Sequence, residues 1–137
     1  EYEQRGYALY KANCASCHPE PLFTDYSYRN IGLKVDPYLN DYGRLVVTAN
    51  KEDSLKFKVP SLRNVSITYP YMHDGRYKSL RACIEHYGNN IQQSSTLDPS
   101  LKNGIHFNNN EIIDLVAFLR ALTDSTLTND LRFYQTH

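Results

Sequence analysis

Apolar and aromatic positions along this chain gather into three separated stretches of helical spacing, joined by long polar connections. From Tyr2 to Cys17 the residues Tyr2, Gly6, Leu9, Tyr10, Asn13 and Cys17 recur every three or four positions. No proline intervenes before Pro19, so a first helix is predicted. Gly6, Tyr10 and Cys14 stand on one side of it, where a glycine lets another helix cross at close range. The crossing partner is predicted at 111–122, with Asn110 as N-cap, Glu111 in the first turn and a stripe of Ile112, Leu115, Val116, Leu119 and Leu122. A third helix reads from Ser79 as N-cap through Tyr87, ended by Gly88 and Asn89. Leu80, Cys83, Ile84 and Tyr87 share one of its faces, so Tyr87 is expected to point inward and His86 to turn aside with Ala82.

Between Pro19 and Pro70 the chain is rich in Asn, Asp, Gly, Tyr and Pro, with short apolar fragments such as the LVV run at 45–47. Long loops with one short strand pair are expected there. The polar stretch 89–109 carries no assignable period, and the segment after Thr123 reads as a tail that packs or frays. Such long loops around few helices argue against a compact domain unless a large cofactor supplies part of the core.

The run CASCH at 14–18 supplies that cofactor. Two cysteines separated by two residues place their sulfurs one helical turn apart, matching the two vinyl groups of a haem, and the adjacent histidine reaches the iron. Cys14 and Cys17 are therefore read as covalent haem attachments and His18 as the proximal iron ligand. A thioredoxin-like dithiol needs a strand before the motif, whereas here a helix precedes it. A zinc site needs two more ligands at regular spacing, which lone Cys83 and the scattered His73, His86, His106 and His137 do not offer. Cys83 reads as structural.

The sixth iron ligand is open among Met72, Tyr87, a histidine and water. Met72, the sole methionine, would bring a soft thioether that favours ferrous iron and raises the potential. Tyr87 would bring a hard phenolate that favours ferric iron and lowers it, and its place on the inward face of the third helix supports it. Each also has an ordinary role, Met72 as a core filler beside Tyr71 and Tyr87 as a packed tyrosine with its hydroxyl satisfied.

Composition adds limits. A length of 137 residues with 41% hydrophobic content suits one domain with a core. Fifteen basic residues balance fifteen acidic ones, so no broad field draws nucleic acid or a membrane surface. No apolar run approaches the roughly 20 residues of a bilayer span. The opening EYEQRGYALYK lacks the apolar stretch of a signal peptide, although covalent haem attachment belongs to exported proteins. Glu1 is accordingly read as a cut point, and the location as periplasmic or exported. With twelve tyrosines and no tryptophan, any electron hopping would use tyrosine.

The segments CASCHPEPLFTDYSYRNIGL at 14–33, DYGRL at 41–45 and FKVPSLRNVSITYPYMHDGRYKSL at 57–80 resemble the bacterial dihaem cytochrome c peroxidases and their MauG-type relatives. The resemblance continues through EHYGN and EIIDLVAFLRALTD, covering most of 5–124. It implies an all-α, cytochrome c-like fold of three to four helices with long loops around one covalent haem. It also implies that residues 1–137 form the C-terminal, electron-transfer domain of a longer two-haem protein. An N-terminal peroxidatic haem domain and a small electron-donor protein would be its partners, and a homodimer stays open. The family's sixth ligand lies 14 residues after the histidine of the PYxHDG run, which from His73 lands on Tyr87. Peroxidases usually have methionine there and MauG-type proteins tyrosine. The resemblance also implies a calcium ion between the domains on carbonyls matching Thr68 and Pro70, and makes Arg44 and Arg63 candidate partners of the haem propionates. Within it, His73 and Asp74 fix a loop. MauG-type enzymes place a tryptophan where this chain has Ala12, which argues against a strict MauG-like function. A free-standing monohaem cytochrome and a MauG-like oxidase domain are the alternatives.

Overall fold

The computed structural model describes residues 1–130 and residue 132. Among them are three full helices, α1 (Tyr2–Asn13), α3 (Leu80–Asn89) and α4 (Asn109–Ala121), and two single-turn helices, α2 (Leu45–Thr48) and α5 (Ser125–Thr128). Two short strands, β1 (Tyr28–Arg29) and β2 (Phe57–Lys58), pair antiparallel with Tyr28 opposite Lys58. The architecture is the expected all-α one, with a single strand pair inside the long loops. The LVV fragment forms α2 rather than a strand, and leaves Val46 and Val47 largely exposed.

The crossing of α1 over α4 organises the core. Tyr10, Leu80, Ile84, Ile112, Leu115, Phe118 and Leu119 are buried together at the junction of α1, α3 and α4. Gly6 makes the close approach possible, because a Cβ there would overlap the carbonyl oxygen of Asp114 and lie 2.8 Å from Cβ of Phe118. Tyr10 packs at a tilt against Phe118 with ring centroids 5.0 Å apart, and Phe23 closes the cluster from the loop after the CASCH run. At the edge of the crossing Arg5 grips buried Asp114 with two hydrogen bonds, Nε to Oδ2 at 2.7 Å and Nη2 to Oδ1 at 2.8 Å.

Three boundaries differ from the pattern reading. α1 stops at Asn13, and Cys14 to His18 form a separate turn. α4 begins two residues earlier than expected. Asn108, not Asn110, is the N-cap: its side chain accepts from the backbone of Asn110 and Glu111, while the Glu111 carboxylate accepts from the Asn108 N–H. α3 runs on through Gly88 and Asn89, since Ser79 caps it as expected but neither residue terminates it. The expected tail past Thr123 begins with α5, capped by Asp124; residues 131 and 133–137 lie outside the described residues.

Candidate haem site

The last turn of α1 hands the chain directly to the attachment motif. Cys14 caps the helix, its N–H donating to the Tyr10 carbonyl at 2.8 Å, and the N–H groups of Cys17 and His18 both donate to the Cys14 carbonyl, at 3.2 and 3.0 Å. The two thiols thus sit on one tight turn, both free and both partly exposed. Burial, helped by the neighbouring Cys17 sulfur, pushes the Cys14 thiol up to about 11. Tyr10 holds the turn from above, its hydroxyl donating to the His18 carbonyl.

His18 has its ring fixed as a metal ligand requires. Nδ1 lies 2.9 Å from the Phe23 carbonyl, which can only accept. The proton therefore stays on Nδ1 and the lone pair on Nε2. Burial lowers the His18 pKa, with the Phe23 and Pro60 carbonyls opposing, so the imidazole is held in its neutral, metal-binding form.

Tyr87 faces the same space. Burial raises its phenol, and the Cys14, Cys83 and Cys17 sulfurs lie near enough to oppose the phenolate further. Its hydroxyl makes no hydrogen bond among the described residues. Burial shifts the titration of Cys14, His18 and Tyr87 alike, and each keeps some accessible surface. Two thiols on one turn, an imidazole with its tautomer fixed and a phenol within electrostatic reach of both thiols, with no hydrogen bond among the described residues, fit haem c. Cys14 and Cys17 would hold it covalently, with His18 and Tyr87 as the nitrogen and oxygen donors.

The other predicted residues spread more widely. Met72 stands in a left-handed turn (φ +68°), its carbonyl accepting from Gly75, with its side chain partly exposed. His73 stacks on Phe57 at 3.7 Å between centroids, and Asp74 accepts from Nε of Arg76 at 2.8 Å while Arg76 reaches the Lys34 carbonyl. This HDGR turn is a clasp between loops. Arg44 is taken up by Asp53 at 3.1 Å and lies over the Tyr28 ring at 4.2 Å. Arg63 is exposed, close enough to Asp124 to lower its pKa behind that residue's own hydrogen bonds. Thr68 and Pro70 lie on an exposed turn, the Thr68 hydroxyl donating to the Val65 carbonyl at 3.3 Å. Among the described residues no group of three or more His, Cys, Asp or Glu side chains is placed to hold a metal ion. Cys83 donates its S–H to the Ser79 carbonyl at 3.3 Å, a structural thiol as expected.

His86 requires a correction. It is 1% exposed rather than turned aside, with Nε2 2.8 Å from the Ile31 carbonyl and Nδ1 3.4 Å from the Tyr77 hydroxyl. α3 is covered on that side too, by loops that a single-stripe reading does not see. Arg29 also escaped the sequence reading. It bonds Asp25 and Asp98 at 2.7 Å each and lies within electrostatic reach of Cys17 and His18. The spacing of Asp25 and Arg29 was a local signal, but Asp98 lies 69 residues away.

These features define a c-type cytochrome, and the model of the cytochrome c family matches residues 3–123; the chain belongs to that family. Within it the chain matches the MauG and dihaem peroxidase proteins. It is 36% identical to the methylamine utilization protein MauG of Methylophilus methylotrophus over 93% of this chain and 38% of that protein. It is 38% identical to the cytochrome c551 peroxidase of Nitrosomonas europaea over 88% of this chain and 34% of that protein. The chain thus spans little more than a third of these relatives' lengths. A crystal structure of a MauG-like protein associated with microbial copper homeostasis superposes with a TM-score of 0.85 at 32% identity, over 97% of this chain and 50% of that one. The dihaem peroxidase BthA of Burkholderia thailandensis shares the fold, with a TM-score of 0.70 at 23% identity. Two of the named relatives are peroxidases, and membership of the family implies covalently bound haem c. No helix among the described residues is long and apolar enough to cross a membrane.

Proposed function

We propose that this chain is the electron-transfer haem domain, C-terminal in position, of an exported dihaem cytochrome c peroxidase-like protein. It would receive electrons from a small donor protein and pass them to a peroxidatic haem on an N-terminal domain, supporting reduction of hydrogen peroxide to water. Haem c, when bound, supplies a one-electron carrier. The chain's own residues attach it through Cys14 and Cys17 and offer His18 from one side. The hydrogen bond to the Phe23 carbonyl keeps that ring from swivelling.

The observation that carries the reading is Tyr87. Its phenol is desolvated near both attachment thiols and makes no hydrogen bond among the described residues, so it offers a second protein donor to the iron. Iron with protein donors on both faces has no open position for peroxide, which suits transfer of electrons rather than reaction with peroxide. Arg44 and Arg63 remain candidates for the propionates, and Thr68 and Pro70 for interdomain calcium carbonyls. Met72 is the alternative ligand.

The test is the visible and near-infrared spectrum of the ferric, haem-loaded chain as wild type and as Tyr87→Phe, together with peroxide turnover. Loss of the tyrosinate signature in Tyr87→Phe and negligible turnover by the wild type are expected. A methionine-to-iron band persisting in both proteins would assign the ligand to Met72, and rapid peroxide consumption would refute the electron-transfer role.

Tyr87 also favours a second reading, a MauG-like oxidase, because tyrosine at this position is that group's choice. Ala12, exposed near the end of α1, opposes it.

A further inference from the structure

His86 is a fully buried histidine that neither attaches haem nor belongs to the apolar stripe of α3. The Ile31 carbonyl at 2.8 Å can only accept, so Nε2 carries the proton, and Nδ1 is left to accept from the Tyr77 hydroxyl. Through these two bonds one ring joins three segments. Ile31 precedes Gly32, whose left-handed turn packs on Ile91 and Gln92 and whose carbonyl accepts from Gln92. Tyr77 closes the Met72 loop, its carbonyl accepting from the Tyr71 N–H at 2.7 Å. The third segment is the last turn of α3, which carries Tyr87. The rings of His86 and Tyr87 meet edge to face with centroids 5.4 Å apart. The Tyr87 carbonyl is held separately by the Ile105 N–H at 2.7 Å. The phenol itself, with no hydrogen bond among the described residues, takes its direction from these neighbours.

We propose that His86 is a positioning residue, holding Tyr87 in the orientation needed to meet the haem iron. This rests on the reading of Tyr87 as an iron ligand. A misdirected side chain at a metal site gives a mixture of ligand-on and ligand-off protein, so the effect appears in the spin state of the iron rather than in stability alone.

The experiment uses the full chain with haem attached by the maturation apparatus and reads electron paramagnetic resonance and visible spectra of the ferric protein. The variants are Tyr87→Phe, His86→Ala, His86→Gln and Tyr77→Phe. Tyr87→Phe is expected to abolish the tyrosinate signature. His86→Ala is expected to keep the signature in part, with the ratio of ligand-off to ligand-on protein rising about fivefold, the change that one net hydrogen bond sets. His86→Gln, which can still donate to the Ile31 carbonyl, recovers most of the wild-type spectrum. Should His86→Ala not fold, Tyr77→Phe decides, with a smaller shift in the same direction. A folded His86→Ala, or Tyr77→Phe in its place, that melts earlier yet keeps the wild-type spectrum has lost only a structural contact and overturns the proposal. A Tyr87→Phe protein with an unchanged spectrum shows instead that the ligand reading is wrong, and removes the proposal with it.

Discussion

Gly6→Ala tests the crossing that delivers the haem motif. In isolation the change favours the helix, since alanine exceeds glycine in helix propensity by about 1 kcal/mol. At the crossing, however, the new methyl group would lie 2.8 Å from Cβ of Phe118 and closer still to the Asp114 carbonyl oxygen. Unstrained carbon contacts need about 3.5–4.0 Å. Neither obstacle can swing away, because one is helix backbone and the other is the root of a buried ring. α1 must therefore retreat from α4 by about an ångström, which also stretches the Arg5–Asp114 bonds of 2.7 and 2.8 Å and loosens Tyr10 against Phe118. Overpacking of this kind costs about 1–3 kcal/mol. With the strained ion pair added and the propensity gain subtracted, a net loss of about 2 kcal/mol is expected, lowering the melting temperature by roughly 5–10 °C. Gly88→Ala is the matched control: the new Cβ there would meet nothing closer than the Ile105 carbonyl oxygen at 3.4 Å. Gly88→Ala should match the wild type or exceed it. Circular dichroism melts of the haem-loaded proteins measure both. A Gly6→Ala protein melting at or above the wild type would refute the steric argument, because propensity alone predicts that sign.

Arg5→Ala leaves the buried Asp114 carboxylate without its bidentate partner and is expected to lower the midpoint of chemical denaturation; an unchanged midpoint would mean that the exposed half of Arg5 already lets water replace it. Acid stability should follow Asp25. Burial alone would raise its carboxyl, but hydrogen bonds from Arg29 and Ser27 outweigh it and hold the group at about 2. Below the ordinary carboxylate value of about 4 the unfolded chain takes up a proton that the folded chain refuses. Stability is therefore lost as pH falls from about 4 towards 2, and Asp25→Asn should flatten that limb of a denaturation series. In haem-free protein the Cys14 and Cys83 thiols, each pushed up to about 11 by burial, should alkylate slowly at neutral pH compared with denatured chain and gain rate as pH approaches 11. Rapid labelling of both at neutral pH would show that burial does not hold the thiols protonated.

α1, α3 and α4 were legible in the sequence because each carries an apolar period of its own, and Gly6 announced the crossing because only close backbone contact explains glycine inside a helix. The start of α4 was ambiguous, since Asn108, Asn109 and Asn110 are equal candidates by composition, and the reciprocal bond with Glu111 singles out Asn108. The loops were not legible. Asn30 is 1% exposed because its amide reaches Ser94 and Thr96, and Arg29 depends on Asp98; both pairings join segments more than sixty residues apart that have no period to align. His86 was misread for the same reason: a helical wheel shows one apolar stripe, whereas loops cover α3 on a second side.

The placing of Tyr87 shows what this division means for function. Because its hydroxyl makes no hydrogen bond among the described residues, its reach is set by where α3 ends and by the groups clasping that turn, the His86 bonds to Ile31 and Tyr77 and the bond from Ile105 to the Tyr87 carbonyl. None of these contacts uses the phenol. The same clasp would therefore present a methionine, the residue that peroxidases usually carry there, without rebuilding the loops. If Tyr87 ligates the iron as proposed, one substitution at position 87 would change ligand hardness, and with it the potential of the haem, while the fold stays constant. On that reading position 87 would set the donor, and residues 31, 77, 86 and 105 would set whether it is delivered.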